Sequence, residues 1–202
     1  WERFDPMEFA HIDALMRDPT KVWKVLIKEM KEILDRAEPN NGHKGLAKLE
    51  ARDKLKTIIT QNVDDLHERS GSSRVLHLHG ELRKVRSTTD INLIYPWDKD
   101  LQLGDKCDLG SQLRPHIVWF GEPVPNISVA AEIAITADIM LIIGTSLQVY
   151  PAAGLVHYAP VDSEKYYIDP LAHENSLISN LTVIKEKAGK AVPGLVEQLM
   201  TD

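Results

Sequence analysis

The residue types able to do chemistry gather at the ends of short apolar runs. Leu55 to Thr60 is a compact β-branched run that stops at Gln61-Asn62-Val63-Asp64-Asp65. Val75 to Leu78 stops at His79-Gly80, and His116 to Phe120 stops at Gly121-Glu122-Pro123. Ile139 to Ile143 stops at Gly144-Thr145-Ser146, and Lys165 to Ile168 at Asp169-Pro170. In an open parallel sheet, ligands bind beyond the carboxyl ends of the strands. The candidate set is therefore Gln61, Asn62, Asp64, His79, Gly80, Gly121, Glu122, Gly144, Thr145, Ser146 and Asp169. Amides, hydroxyls, carboxylates and an imidazole together suit a polar ligand and general-base chemistry.

His79 is a better base candidate than His77, because it ends its run beside a glycine and an imidazole accepts a proton near neutrality. His43, His67 and His77 read as structural. Gly144-Thr145-Ser146 offers close backbone approach and donors for a phosphate, although a plain turn is the simpler account of the tripeptide in isolation. Asp169 stands where an acidic residue takes ribose hydroxyls in dinucleotide sites and repels a 2′-phosphate; an Asp-Pro turn is again the simpler account on its own. Cys107 is the one cysteine, which excludes an internal disulfide and a multi-cysteine zinc site. Gly71-Ser72 lacks the nucleophile-elbow pattern.

These runs need elements to hold them. Residues 1–37 read as helical, with a start signal at Asp18-Pro19-Thr20 and an apolar stripe through Val22, Trp23, Leu26, Ile27, Met30, Ile33 and Leu34. Glu38-Pro39-Asn40-Asn41-Gly42 breaks the helix, and a second helix runs from His43 to about Arg52. Residues 81–116 are polar, turn-rich and weakly patterned, which marks a small module or a long excursion. Ala130 to Ala137 and Gly189 to Met200 read as helices, and Val183-Ile184 as a last strand. Strands alternating with helices predict an α/β fold, a parallel sheet with helices on both faces.

The chain has 202 residues, 43% hydrophobic and 27% charged. That composition excludes disorder and collagen-like fibres, and fits one domain with a small inserted module. Lysine plus arginine is 24 against 30 for aspartate plus glutamate, a formal charge of −6. No global basic field is available for nucleic acid or an anionic membrane, so neither is an expected partner. With no spanning apolar run and no signal peptide, the expected location is the cytoplasm.

Several stretches together resemble the sirtuin family of NAD-dependent protein-lysine deacylases. They are Glu38 to His43, Thr60 to His67, Leu78-His79-Gly80-Glu81, Leu113 to Glu122, and Gly144 to Ala153. The resemblance runs in order over nearly the whole chain. It implies a Rossmann-like NAD-binding domain over 38–80 and 117–202, and a small domain over 5–37 and 81–116. It implies that an acyl-lysine carbonyl oxygen attacks the anomeric carbon of the nicotinamide ribose as nicotinamide leaves. The acyl group then passes to ADP-ribose, with His79 as general base on a ribose hydroxyl. Asn62, with His79 the expected catalytic pair, and Asp64 match positions at the nicotinamide ribose and carboxamide, and Gln61 one that touches ribose hydroxyls. Gly144, Thr145 and Ser146 match phosphate and ribose contacts, and Asp169 stands where the family usually has an asparagine on the adenosine ribose. Gly189, Lys190 and Ala191 match the loop that cradles adenine. Val118, Phe120, Gly121 and Glu122 match the strand that pairs with the acyl-lysine substrate backbone to backbone.

Three departures from the family pattern matter. Its leading Gly-Ala-Gly-x-Ser segment belongs before Trp1, which resembles the tryptophan that follows it; the chain is expected to be a fragment that binds NAD weakly alone. The four zinc cysteines are missing, so the small domain is expected to fold without zinc. Members that prefer succinyl-lysine carry a tyrosine and an arginine three residues apart, where this chain has Leu26 and Glu29; a glutamate repels a dicarboxylic acyl group. The leading reading is a deacetylase or deacylase. The alternatives are a catalytically weak NAD or ADP-ribose binding module and an ADP-ribosyltransferase.

Overall fold

The computed structural model describes residues 10–201, in two compact units. The helical reading of residues 1–9, and the role of Trp1, lie outside the described residues.

The larger unit comprises Glu38–Gln61, Asp65–Leu78 and 125–201. Its strands are β1 (Ile58–Thr60), β2 (Val75–His77), β6 (Ile139–Ile143), β7 (Glu164–Ile168) and β8 (Leu181–Ile184). All pair in parallel, β1 with β2 and β6 with β7 with β8. Alternation splits each strand between two apolar layers. Leu141, Ile143, Tyr166, Ile168 and Ile184 face a layer built with helices α4 (Asn41–Glu50) and α7 (Ala188–Thr201). Met140, Ile142, Tyr167, Leu181 and Val183 face the other, closed by a 3₁₀ turn (Ala152–His157) and the segment holding Ala172 and Ile178. Ile168, Val192 and Val196 are almost fully buried, each contributing about 1.5–3 kcal/mol. Gly45 lets α4 and α7 approach, since a methyl there would come within 3.3 Å of Val192.

The start of α4 shows why Glu38 to Gly42 breaks one helix and begins another. The Asn40 side chain accepts from the Gly42 and His43 amides, and the Asn40 amide donates to His43 Nδ1 at 3.2 Å. This reciprocal cap satisfies orphan amides and is worth about 1 kcal/mol. His43 thus caps a helix, and its ring packs edge-on against His67 at 4.8 Å. His77 is buried, with Nε2 2.8 Å from Glu68 in the short helix α5 (Leu66–Arg69). Helix α6 (Ile127–Ala134) begins three residues before the expected Ala130.

The smaller unit comprises 10–37, Asn62–Asp64 and His79–Val124. Helices α1 (Ile12–Arg17) and α2 (Pro19–Val22) are followed without a break by a π-helical segment (Trp23–Ile27) and α3 (Lys28–Arg36). Asp18 caps α2 by accepting the Lys21 amide at 3.0 Å, with Pro19 in the first turn, as the start signal predicts. The weakly patterned stretch forms an antiparallel sheet of β3 (Gly80–Ser87), β4 (Ile94–Pro96) and β5 (Leu113–Ile117), in the order β4-β3-β5. Buried Arg86 and Ser87, and a register shift between Gly80 and Val85, erase the alternation that would have marked β3. Strand β5 sits three residues upstream of the expected His116–Phe120 run. It tolerates Pro115 because it is an edge strand. Val85, Cys107 and Leu113 form a buried cluster under Leu93, Tyr95, Trp97 and Leu101. Cys107 is thus a packing residue whose thiol donates to Ser87 Oγ at 3.3 Å.

Candidate active site

In the larger unit, Ile143 of β6 pairs with Ile168 of β7, so Gly144 and Asp169 leave adjacent strand ends together. The Gly144 amide donates to Ile168 O at 2.9 Å, which fixes the turn's origin. Gly144 has φ +63, and a Cβ there would meet nothing within 4 Å. The turn therefore faces open space on a backbone conformation that favours glycine. Thr145 is held at three points. Its hydroxyl accepts the Leu147 amide at 3.2 Å and the Gln61 side-chain amide at 3.5 Å, and its carbonyl accepts the Tyr167 hydroxyl at 2.9 Å. Burial and the neighbouring Asp169 charge push the Tyr167 phenol above its ordinary value, so it stays a donor. Ser146 is exposed beside them.

Asp169 is half-buried, and its Oδ1 accepts the Leu171 amide at 2.7 Å. The Asp-Pro turn is thus present, and it occupies one carboxylate oxygen. Gly189, Lys190 and Ala191 lie in the first turn of α7 rather than in a loop. Gly189 packs against Asn40, and Lys190 pairs with Glu186 at 3.1 Å.

In the smaller unit, His79 precedes the first residue of β3, and its carbonyl accepts the Val118 amide at 2.9 Å. Two of the expected residues are thereby joined through their backbones. Gly80 has φ +85, and a Cβ there would lie 2.0 Å from His116 O, so no side chain fits where β3 and β5 cross. The Asn62–Asp64 segment is tied to the same sheet by the Leu82 amide, which donates to Val63 O at 2.8 Å. Asn62 is exposed and Asp64 half-buried.

The stretch after β5 is a turn rather than a continued strand. The Glu122 amide donates to Trp119 O at 3.0 Å, while the Trp119 amide donates to Glu122 Oε2 at 2.9 Å. Phe120, 47% exposed at its surface, donates its amide to Ala10 O and accepts the Ile12 amide, both at 2.9 Å. Glu122 turns inward. Arg114 grips it with two bonds, Nη1 to Oε1 at 2.7 Å and Nη2 to Oε2 at 2.8 Å, and Arg86 lies 3.6 Å away. Burial alone would raise the Glu122 carboxyl. The bonds from Arg114 and the Trp119 amide, with the two guanidinium charges, outweigh it and hold the group below the usual carboxylate range.

Three positioning residues escape the sequence reading: Tyr167, Arg86 and Arg114. Arg114 lies inside the stretch that carries the resemblance, and that was the available signal. Tyr167 and Arg86 read as ordinary strand residues.

The donor set of the larger unit is two hydroxyls, a primary amide and a carboxylate, at and beside an open glycine turn. It fits a ligand with ribose hydroxyls and phosphates. These features define a nucleotide-binding α/β protein with a second, smaller unit of helices and an antiparallel sheet. The chain belongs to the Sir2 family, whose family model matches residues 1–151. An NAD-dependent protein deacylase of Helicobacter pylori is 49% identical over 200 residues, covering 99% of this chain and 86% of the relative. Among solved structures, a Sir2 homologue in complex with NAD superposes with TM-score 0.85 at 39% identity, covering 100% of this chain and 80% of the other. Sir2Af2 bound to a myristoylated histone peptide superposes with TM-score 0.77 at 35% identity, covering 97% and 86%. Among the described residues, no group of three or more His, Cys, Asp or Glu side chains could hold a metal ion, and no helix is long and apolar enough to cross a membrane.

Proposed function

We propose that this protein is an NAD-dependent protein-lysine deacylase that releases nicotinamide and moves the acyl group to ADP-ribose. The observation that carries this reading is the glycine turn at Gly144–Ser146, braced by Tyr167 and Gln61 at the carboxyl end of a parallel strand in a Sir2-family chain. When bound, NAD supplies an anomeric carbon with nicotinamide as leaving group.

The chain's residues have separable tasks. Gly144 admits the phosphates close to the backbone, and the Thr145 and Ser146 hydroxyls and the Gln61 amide bond phosphate and ribose oxygens. Asp169 holds a ribose hydroxyl with its second oxygen and disfavours a 2′-phosphate. The first turn of α7, at Gly189, Lys190 and Ala191, cradles adenine. Asn62 and Asp64 orient the nicotinamide ribose and carboxamide. His79 would serve as general base, taking the proton of a ribose hydroxyl. Val118, Phe120, Gly121 and Glu122 form the edge that receives the acyl-lysine peptide. The Phe120 amide and carbonyl are both engaged already, so the peptide pairs through the Val118 carbonyl and the Gly121 backbone. Leu26 is buried at 3% exposure in the π-helical segment, and Glu29 follows on the same continuous helix. An apolar residue and an acidic one there favour acetyl or longer apolar acyl groups over succinyl. Net acidity and the lack of a spanning helix among the described residues favour cytoplasmic protein substrates over nucleic acid or membrane partners.

The test is incubation with NAD and an acetyl-lysine peptide. Peptide-dependent nicotinamide and O-acetyl-ADP-ribose are expected, and both are lost in His79→Ala. Product formation unaffected by that change overturns the assignment of the base, and faster turnover of a succinyl peptide overturns the acyl preference. A second reading, a binding module without turnover, makes no use of a base; it would be shown by NAD binding with no nicotinamide released.

A further inference from the structure

Glu122 ends the stretch expected to meet the substrate, yet its carboxylate is committed inside its own unit. Both oxygens are gripped by Arg114, and one of them also accepts the Trp119 amide. Arg114 lies on β5, eight residues earlier, and its Nη2 also donates to Ile117 O at 3.4 Å. The guanidinium therefore spans the corner where the chain leaves the sheet. The side chains of Arg114, Glu122 and Arg86 are 12%, 15% and 8% exposed, so water screens this cluster little. A two-pronged guanidinium–carboxylate contact fixes orientation as well as distance. What it orients is the Trp119–Glu122 turn, whose exposed members are Phe120 and Gly121.

We propose that the Arg114–Glu122 fork is the positioning element of the peptide-docking edge, and that Glu122 acts on substrate through this brace and not by touching it. The proposal rests on the deacylase reading for its substrate. In the braced state the Val118 carbonyl and the Gly121 backbone, the latter in the turn at φ +89, are held in one fixed geometry, so peptide binding incurs little ordering cost. Without the fork the turn keeps its Glu122–Trp119 backbone bond but loses its tie to β5. Peptide affinity then falls, while nucleotide binding changes little, because none of the residues assigned to NAD contacts the Arg114–Glu122 fork. Arg86 adds a second positive charge beside one carboxylate. A lysine at 114 keeps the charge but cannot form the fork.

The experiment compares the wild type with Arg114→Lys, Glu122→Gln and the double variant. It measures steady-state kinetics with NAD and an acetyl-lysine peptide, peptide Kd by fluorescence anisotropy, and thermal unfolding. Each single variant is expected to weaken peptide Kd and raise peptide KM about tenfold, with kcat and the KM for NAD within about twofold. The double variant is expected to be no worse than either single one, because both break the same contact. Unchanged peptide Kd in Arg114→Lys overturns the proposal. So does a fall in kcat at constant peptide KM, or multiplicative loss in the double variant. Should Arg114→Lys not fold, the near-isosteric Glu122→Gln carries the same test. A wild type that binds peptide but releases no nicotinamide overturns the deacylase reading alone, because Kd still reads the brace. A wild type that turns over normally beside an unaffected Arg114→Lys overturns the brace alone, and a wild type that binds no peptide overturns both.

Discussion

Gly80→Ala should be among the most damaging single-methyl changes in this protein, and its cost follows from the geometry. The new Cβ would sit 2.0 Å from His116 O, 2.8 Å from His116 C and 3.0 Å from Ile117 Cα. The first contact is roughly 1.5 Å short of optimal van der Waals separation. All three atoms are backbone, so no side chain can swing aside. The positive φ of +85 adds about 1–2 kcal/mol for a residue with a Cβ. Forcing β5 away adds an overpacking cost of about 1–3 kcal/mol. Moving β5 also stretches the Val118 N–H to His79 O bond, worth about 1 kcal/mol. The total, about 3–6 kcal/mol, is a large share of the roughly 5–15 kcal/mol that holds a folded domain together. Gly144→Ala is the control. It has a positive φ of +63 but nothing within 4 Å, so only the backbone cost of about 1–2 kcal/mol applies. Urea unfolding of both variants, with turnover of an acetyl-lysine peptide, reads the difference. If Gly80→Ala is destabilised no more than Gly144→Ala, the steric argument is wrong. If it keeps full activity, the backbone bond is not what positions His79.

Three further outcomes are expected. The Glu122 carboxyl is depressed in the folded protein, so its stabilisation is complete above the ordinary glutamate pKa of about 4.3 and is lost as pH falls through the lower folded value. The stability gap between wild type and Glu122→Gln, measured by urea unfolding across pH, should be constant above that point and close below it; a gap that widens on acidification refutes the assignment. Tyr167→Phe removes one hydrogen bond to Thr145 O, worth about 1 kcal/mol. That predicts a roughly fivefold rise in the KM for NAD with peptide KM unchanged, and an unmoved NAD KM would show that the turn needs no brace. The small unit packs its loops on Val85, Cys107 and Leu113, so treatment with a chelator should leave the melting temperature unchanged. A fall beyond about 4 °C, equivalent to roughly 1 kcal/mol, or stoichiometric zinc by metal analysis, would refute that.

Much of this protein was legible as sequence wherever local pattern and burial agree. Ile139–Ile143 is continuously apolar because it lies between two apolar layers, and its strand bounds follow from that run alone. The helix start at Asp18-Pro19 was legible because a cap is a contact between near neighbours. The candidate site was legible as a list, because chemistry-bearing residues follow strands in order. Tertiary structure alone decided three things, each of which depends on residues distant in sequence. The β3-β4-β5 sheet was hidden because it buries Arg86 and Ser87 and shifts register, so no period shows. The turn at Trp119–Glu122 replaced an expected strand because the Glu122 carboxylate bonds a backbone amide three residues back while Arg114 holds it. Tyr167 became part of the nucleotide turn because β6 and β7 are parallel neighbours in one register, which brings its hydroxyl to the Thr145 carbonyl. Sequence determines which groups are available and roughly where strands end; which of those groups are spent holding each other is decided by long-range pairing, because a hydrogen bond between distant residues leaves no periodic trace.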